Sequence, residues 1–316
     1  MKAGTIVLTC ALTVLLGLSP AAIRTHAADR GGSPSRPAKV LVRPKFAPGR
    51  IMRYNLKLSG SSAWAPHDKG LSRGMRETDF TFDLATKVIR ERGLCTFHLA
   101  GQQLKSSASG PKGSLGIVAD RRKVRLRIGD AWQAPSSKTP LAGEMTLTQG
   151  PLGGIRFATG AAPIAIYLLP GVDYRFWGLL TAAPLGKIAP GDQWSDKFNL
   201  RLPDSRGNPL ELTGRWKVLG YRTHRGRKVL ALALAVKMDL NNTRVMLKNG
   251  DLAQVHAGRY VAAGKAMWDL SRGVLCYATA DQKILLSADK PKVRALRSEH
   301  KCTLDMISFR ERANGR

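Results

Sequence analysis

Apolar and polar side chains alternate with a period of two along much of the chain. In residues 52–58, 80–84, 95–99 and 124–128, every second side chain is apolar, and most of the side chains between them are polar or charged. This pattern is typical of strands that bury one face and expose the other. We therefore expect a mainly β protein with antiparallel strands.

The second half of the chain returns to strands after an apolar interruption. Residues 229–240 alternate large apolar side chains with alanine, which predicts a central strand covered on both faces, and residues 301–312 make a last strand. Residues 163–186 are strongly apolar but broken by Pro and Gly, which predicts one or two short helices. The following PGD sequence (190–192) predicts a tight turn that leads Trp194 into the next strand.

Two short segments are similar to each other. GGIRFAT (153–159) resembles GVLCYAT (273–279), and each follows an alternating segment and a turn. The fold we expect is two similar curved β-meander halves joined by a short apolar helical link, with an α+β half-barrel of lipoprotein-carrier type as the alternative. The later segment is predicted to be a hairpin that places Trp268 and Asp269 on opposite faces, so their closeness in sequence does not make Trp268, Asp269 and Cys276 one site.

The N-terminus has the pattern of a secretory signal peptide. Lys2 precedes an apolar stretch (6–18), and the small residues Ala27 and Ala28 offer a cleavage site. Lipidation at Cys10 and a retained membrane anchor fit the pattern less well. We expect an exported protein, periplasmic or secreted, with no transmembrane span after cleavage. The predicted layout is signal peptide 1–28, flexible Pro/Gly/Arg-rich leader 29–49, first β half 50–162, link 163–189 and second β half 190–312.

Three cysteines follow the signal peptide: Cys95, Cys276 and Cys302. None lies in a CxxC motif, so neither a zinc site nor a thioredoxin-like site is indicated. Outside the cytoplasm one disulfide is expected, and we favour the pair Cys276–Cys302. Buried free thiols at both positions are the alternative.

Two short motifs connect the chain with a known family. The PGDQW turn (190–194) and the Gly/Asp-containing hairpin (262–273) resemble those of an uncharacterised family of exported bacterial β-proteins of unknown function, with a mid-chain PGDxW turn and a C-terminal Gly/Asp hairpin. Trp268 stands where that family usually has Phe. The resemblance implies an exported β-protein and no catalytic residues.

No motif in the chain indicates an enzyme. Two SxxK matches lack their partner motifs, no GxSxG elbow occurs, and the histidines lack metal-binding spacings, so we predict no catalytic residues, metal or cofactor. Two carboxylate pairs, Asp79 with Asp83 and Asp192 with Asp196, leave a hydrolase of wall or matrix polymers as an alternative. Isolated acids in so basic a chain are, however, expected to pair with Arg or Lys.

The charge of +29 is the strongest unexplained feature of the sequence. The interpretation we favour is that the basic residues are spread over the chain for solubility and for protection of sheet edges. The functional alternative is that a field of this sign attracts polyanions. Aromatic residues make up only 6% of the chain, which disfavours specific nucleic-acid binding by base stacking. The candidate polyanion-binding residues are Arg121, Arg122, Lys123, Arg125 and Arg127, which we expect to form a ladder on one strand, together with Arg225, Arg227 and Lys228.

The apolar link supplies a second kind of candidate site. Tyr167, Tyr174, Phe176 and Trp177 could line a ligand cavity against the sheet or be plain core. We therefore expect an exported, non-enzymatic envelope or extracellular protein that binds an apolar or lipid-like ligand or an anionic lipid or polymer of the envelope. A structural envelope component is a further alternative, and the sequence leaves the oligomeric state open.

Overall fold

The computed structural model describes residues 39–42, 47–65, 72–88, 95–110, 113–135, 144–149, 155–156, 186–200, 210–241, 243–246, 252–288 and 295–311. Within these residues every element is a strand. The strands are β1 (Val40–Val42), β2 (Arg50–Ala65), β3 (Ser72–Val88), β4 (Cys95–Gly110), β5 (Gly113–Asp120), β6 (Val124–Ile128), β7 (Ala131–Trp132), β8 (Glu144–Gln149), β9 (Ile155–Arg156), β10 (Gly186–Ile188), β11 (Gln193–Leu200), β12 (Leu210–His224), β13 (Arg227–Asp239), β14 (Thr243–Met246), β15 (Leu252–Asp269), β16 (Val274–Ala288) and β17 (Ala295–Glu311).

One antiparallel sheet holds all of these strands except β1 and β10. Its main order is β11-β12-β13-β15-β16-β17-β2-β3-β4-β5-β6-β7, with β14 on β15 and β8 on β4. The last strand, β17, pairs with β2 along its length, so the two halves meet in the middle of the sheet. The prediction of a mainly antiparallel β protein is confirmed, and the described strands belong to one compact unit.

The period-two pattern sorts the side chains onto two faces of the sheet. Leu56 pairs with Phe80, and both are almost fully buried on what we call the apolar face. Their neighbours Lys57 and Asp79 pair on the opposite side, the polar face. On β6 the apolar row is covered at one end only: Val124 is buried, whereas Leu126 and Ile128, predicted on the same side, are exposed.

The predicted leader and link both contribute a strand. Val40–Val42 (β1) pairs antiparallel with Gly186–Ile188 (β10), and Val42 and Ile188 belong to the hydrophobic core. The leader is therefore not flexible throughout, because an apolar Val-Leu-Val sequence finds a strand partner. Residues 163–185, where the helices are predicted, lie outside the described residues, and so does most of segment 153–159. The duplication of the two halves remains a prediction.

The prediction that β13 is a central strand is confirmed, whereas the prediction that both of its faces are covered is wrong. It lies between β12 and β15, and Leu230, Leu232 and Leu234 are buried. On the alanine face, cover fades along the strand, from buried Ala231 to exposed Ala235. Alternation with alanine thus marks a face with little side-chain bulk rather than a second packed layer.

The PGD turn is confirmed. Asp192 N donates to Ala189 O at 3.1 Å, and Gly191 has a φ of 94°. Pro at the second position and a residue with positive φ at the third are the requirements of a type II turn. Trp194 then stacks on Trp216 of the neighbouring strand, with ring centroids 5.9 Å apart. Among the described residues, no helix has the length and apolar character needed to cross a membrane.

Candidate functional site

A groove of about 530 Å³ crosses the polar face of the sheet. Its lining comes from β17, β2, β3, β4, β5, β6 and β7, which are consecutive neighbours. At about 4.8 Å per strand, six spacings amount to about 29 Å across the sheet. We call this feature the polar groove; the side chains that give it its chemistry are Lys57, Glu77, Asp79, Lys105, Arg127, Trp132 and Lys301.

Strand register places these side chains together. Lys57 pairs with Asp79, and Asp79 with Lys105, so one row of the polar face alternates in charge across three strands. Gly116 leaves room for Arg127 on the neighbouring strand, because a Cβ at this glycine would lie 3.3 Å from Arg127 Nε. A side chain at Gly116 would therefore require Arg127 to shift by a few tenths of an ångström.

The cations of the groove have no close carboxylate partners. Among the described residues, Lys57, Lys105, Lys301 and Arg127 form no ion pair, and the Nε atom of Arg127 is buried without a hydrogen-bond acceptor. Asp79, the acid nearest in register to two of these lysines, instead accepts a hydrogen bond from Asn55 Nδ2 at 2.5 Å. The groove thus keeps four positive charges available to a ligand.

Trp132 forms one end of the groove. Its side chain is 44% exposed, and the guanidinium groups of Arg125 and Arg127 lie 5.1 and 5.8 Å from its ring centroid. These distances are within the range of cation–π attraction. Trp132 therefore holds two arginines in place at the groove.

The predicted ladder Arg121–Arg127 is only partly a strand. Arg121, Arg122 and Lys123 lie between β5 and β6, where Asp120 Oδ1 accepts the backbone N–H groups of Arg122 and Lys123 at 2.7 and 2.8 Å. Such an Asp-centred turn ends the strand, and the prediction of one continuous ladder was wrong for this reason. Only Arg125 and Arg127 share a strand face.

The second predicted basic cluster belongs to a different cavity. Arg225 and Arg227 line a space of about 330 Å³, whereas Lys228 lies over the ring of Tyr221 at 4.8 Å and is not among its lining residues. We call this space the arginine pocket. Its polar lining is His224, Arg225, Arg227, Asp269, Arg272, Cys276 and Ser308, and its apolar lining is Val229, Met306, Ile307 and Phe309.

Arg225 spans from the β12–β13 turn to β17. Its Nη2 lies 2.6 Å from Asp305 Oδ2, and its Nη1 donates to Met306 O at 3.0 Å. Arg225 and Gly226 have φ values of 48° and 72°, as a two-residue type I′ hairpin requires. Positive φ at a non-glycine residue costs about 1 kcal/mol or more, and the contacts with β17 offset that cost.

Asp269 and Cys276 line the same cavity, and Trp268 is not among its lining residues. The pairing of β15 with β16 shifts between Met267 and Trp268, and this bulge leaves Cys276 without a partner in the ladder. Asp269 pairs with Val274, two residues before Cys276, so alternation in this hairpin register places Asp269 and Cys276 on the same side. The predicted hairpin itself is confirmed, with Gly273 N donating to Asp269 O at 2.8 Å.

Asp269 is 1% exposed and has two different oxygen environments. Its Oδ1 accepts the N–H groups of Ser271 and Arg272 and the Ser271 hydroxyl, and so fixes the hairpin turn. Its Oδ2 is buried without a hydrogen-bond partner, with Arg227 Nη1 at 3.8 Å and Arg272 Nε at 3.9 Å. One carboxylate oxygen therefore has its hydrogen-bonding capacity unused.

Cys276 and Cys302 are separate buried thiols, so the predicted disulfide was wrong and the alternative of free thiols is confirmed. Cys302 pairs with Ala280, four residues along β16 from Cys276. That offset is about 13 Å at 3.3 Å per residue, whereas the Cα atoms of a disulfide lie within about 7 Å. Burial, the larger cause, raises the pKa of both thiols to about 12, and the charge of Asp269 adds to this at Cys276.

Of the two proposed carboxylate pairs, Asp79 with Asp83 does not have the geometry of a hydrolytic site. Asp83 is held by Arg53 at 2.7 and 3.0 Å and by Gln102 at 2.7 Å, the pairing expected of an acid in a basic chain. Asp79 lies four residues away on β3, about 13 Å at 3.3 Å per residue, too far for a glycosidase pair. Asp192 Oδ2 accepts Ala189 N at 2.9 Å within the turn, and the side chain of Asp196 lies outside the described set.

A third polar cluster is buried on the apolar face. Tyr260 Oη, both side-chain polar atoms of Gln282 and His300 Nδ1 are buried without hydrogen-bond partners. Gln282 pairs with His300 across β16 and β17, and Ser298 Oγ lies 2.6 Å from His300 Nε2. Burial, and then the charge of Arg76, lower the pKa of His300, while burial raises that of Tyr260.

The predicted apolar ligand site falls outside the described residues, since it consists of Tyr167, Tyr174, Phe176 and Trp177. Within the described part of the chain, no three His, Cys, Asp or Glu side chains are grouped so that they could hold a metal ion. Sequence reasoning missed Lys57, Lys105 and Lys301 because they are scattered polar positions of three strands. Only the pairing register of the strands brings these three lysines together. The one sequence signal that they share is a polar position in a strand of alternating apolar and polar residues.

No family model matches this chain, and no curated protein sequence matches it. Among solved structures, lipovitellin, from a structure titled "Lipid-protein interactions in lipovitellin", is similar with 13% identity and a TM-score of 0.47 over 86% of this chain. This chain spans 26% of lipovitellin. The LolA superfamily protein NE2245 from Nitrosomonas europaea is similar with 10% identity and a TM-score of 0.12, over 87% of this chain and 90% of that protein. At these values the likenesses assign neither a family nor a ligand.

Proposed function

We propose that this chain is an exported, non-enzymatic binding protein whose polar groove holds a hydroxyl-rich anionic polymer of the cell envelope, such as an acidic polysaccharide. The observation that carries the proposal is the set of four cations without ion pairs around one groove of about 530 Å³. Some surface cations elsewhere on the sheet pair with acids, as in Arg53–Asp83 and Arg297–Glu299. In the groove, four cations that are unpaired among the described residues and two acids line one cavity.

The acids of the groove narrow the class of ligand. Glu77 and Asp79 lie between the lysines and can accept hydrogen bonds from hydroxyl groups. They disfavour polyphosphate, which carries charges that the acids repel and has no hydroxyl groups along its chain to donate hydrogen bonds to them. An acidic polysaccharide carries both kinds of group that the groove can bind: its anionic groups can contact the cations, and its hydroxyl groups can donate to the acids. A groove that crosses seven strands suits an extended chain.

Titration with a uronic-acid polymer tests this proposal. Polygalacturonate is expected to bind, and neutral dextran is not. Arg127→Gln and Lys105→Gln should each weaken binding about fivefold, because one charge contact near a protein surface contributes on the order of 1 kcal/mol. Raising the salt concentration should weaken binding of the unaltered protein.

Arg297→Gln is the matched control. It removes one charge from β17 on the same face, but at a residue that pairs with Glu299 and is not part of the groove. We expect polymer affinity within about twofold of the unaltered protein, as for a surface change away from a site. An effect as large as that of Lys105→Gln would show that only total charge matters. A structural envelope component would bind no polymer.

A second candidate function rests on the buried cluster of the apolar face. Buried polar atoms without partners are rare, and Tyr260, Gln282 and His300 contribute four of them. An apolar or lipid-like ligand with a polar group could satisfy these atoms. Native mass spectrometry of the purified protein should then detect a co-purifying lipid, and Gln282→Leu should remove it. A lipid-free spectrum of the unaltered protein would contradict this candidate.

A further inference from the structure

The arginine pocket is separate from the polar groove. Its lining comes from β12, β13, β15, β16 and β17 together with the β12–β13 and β15–β16 turns. The two cavities share no lining residue. A ligand of the arginine pocket would therefore be recognised independently of the polymer.

The cations of the pocket are positioned by contacts with neighbouring protein groups. Arg225 is fixed to β17 through Asp305 and the carbonyl of Met306. Arg272 lies over the ring of Phe309, with its guanidinium carbon 4.4 Å from the centroid. His224 packs against Tyr277, and its Nε2 is buried without a hydrogen-bond partner. The pocket is thus built in advance of any ligand.

Asp269 sets the chemical requirement for a ligand. Arg227 and Arg272 face its Oδ2 from 3.8 and 3.9 Å, beyond hydrogen-bonding distance. The guanidinium groups need acceptors and the carboxylate oxygen needs a donor, so a ligand that satisfies all three must offer both. Sulfate, ionised carboxylates and phosphate diesters offer acceptors only. A singly protonated phosphate monoester offers acceptor oxygens and one O–H donor.

The arginine pocket also has space beside its apolar lining residues for the organic group of a ligand. Val229, Met306, Ile307 and Phe309 supply apolar surface in a cavity of about 330 Å³. We propose that the arginine pocket is a binding site for a phosphate monoester, in which Arg227 and Arg272 donate to the phosphoryl oxygens and Asp269 Oδ2 accepts the phosphate proton. The charged and titratable groups around it are His224, Arg225, Arg227, Asp269, Arg272, Cys276 and Asp305.

Calorimetry on the intact protein tests the proposal at a pH near the second phosphate pKa of about 6, where the protonated monoester is well populated. Inorganic phosphate and phenyl phosphate represent soluble sources, and vesicles containing phosphatidate represent a lipid headgroup. Sulfate and vesicles containing phosphatidylmethanol, a phosphate diester without a hydroxyl group, are the negative probes because neither offers an O–H donor. We expect at least one monoester probe to bind about tenfold or more tighter than its negative counterpart. Binding by the soluble probes or by the vesicles identifies the source.

Asp269→Asn provides the sharpest variant. The amide oxygen can still accept the three hydrogen bonds that fix the turn, while an NH₂ group replaces the acceptor in the cavity. The preference for phosphate over sulfate should fall from about tenfold to near unity. Arg272→Gln should weaken monoester binding about tenfold, as expected for a lost charge-assisted hydrogen bond.

Two controls keep the test decisive. Arg259→Gln removes an exposed cation of β15 that pairs with Asp239, and Lys105→Gln alters only the polar groove. Both should leave monoester affinity within about twofold. Binding by no monoester probe, equal binding of sulfate, or a monoester affinity that Arg272→Gln does not change would each overturn the assignment. None of these outcomes bears on the polymer proposal.

Discussion

Gly60→Ala tests the seam that joins the two halves of the sheet. Gly60 on β2 pairs with His300 on β17. A Cβ at this position would lie 2.6 Å from Glu299 O and 2.7 Å from His300 Cγ, and closer still to His300 Nδ1. Atoms in van der Waals contact lie about 3.5 Å apart or more, so the strands must move apart by several tenths of an ångström or the imidazole must turn out of its place.

The expected loss of stability follows from two opposing effects. Overpacking a well-filled site costs about 1–3 kcal/mol, and the contact with a backbone oxygen puts this site at the upper end. Replacing Gly by Ala in a strand interior contributes about 0.5–1 kcal/mol of stability. The net loss should be about 2 kcal/mol, which lowers Tm by roughly 4–8 °C for a domain of this size.

Urea unfolding followed by circular dichroism measures this change, with Ser59→Ala as the control. Ser59 is the exposed neighbour of Gly60 on the polar face, and its replacement should alter the free energy of unfolding by less than about 0.5 kcal/mol. In a His300→Ala background, Gly60→Ala should cost about 1 kcal/mol less, because one of the clashing groups is gone. A Gly60→Ala protein as stable as the unaltered one would refute the β2–β17 register.

Three further predictions concern buried groups. The pKa of His300 is lowered in the folded protein, so folding favours the neutral imidazole. The resulting contribution to the free energy of unfolding is present above about pH 6.5, the ordinary His pKa. It is lost as the pH falls toward the pKa of the folded state. Urea titrations from pH 8 to 5 should show this loss, and His300→Gln should reduce it. Because the pKa values of Cys276 and Cys302 are raised to about 12, a thiol-alkylating reagent near pH 8 should label neither in the native protein and both in denaturant, and labelling of the native protein would contradict their burial. Leu232→Ala, at a fully buried position of β13, should cost about 2–5 kcal/mol in urea unfolding, whereas Lys237→Ala on the exposed side of the same strand should cost less than about 0.5 kcal/mol.

Alternation alone predicted which residues of a strand share a face. It placed Met52, Tyr54, Leu56 and Leu58 together, and all four are buried. It could not show where a local turn interrupts a strand, as Asp120 does before Arg121. Side-chain hydrogen bonds to neighbouring backbone groups compete with strand pairing and leave no trace in the hydrophobic pattern.

The candidate functional sites depend on the pairing register between strands. The hydrophobic pattern of a single strand does not specify that register. Lys57, Lys105 and Lys301 belong to three strands and meet only because β17, β2, β3 and β4 are neighbours. The hairpin register, in which Asp269 pairs with Val274, brings Asp269 and Cys276 to one cavity. The pairing of β17 with β2 joins strands far apart in sequence, and prediction from the sequence fails at such pairings first.

A crystal structure of the protein with a uronic-acid oligosaccharide tests the central claim most directly. We predict that the sugar chain lies along the polar groove, with carboxylates within ion-pairing distance of Arg127 and Lys105 and hydroxyls hydrogen-bonded to Asp79 or Glu77. A well-ordered oligosaccharide bound elsewhere on the sheet, with the groove open to solvent, would contradict the account.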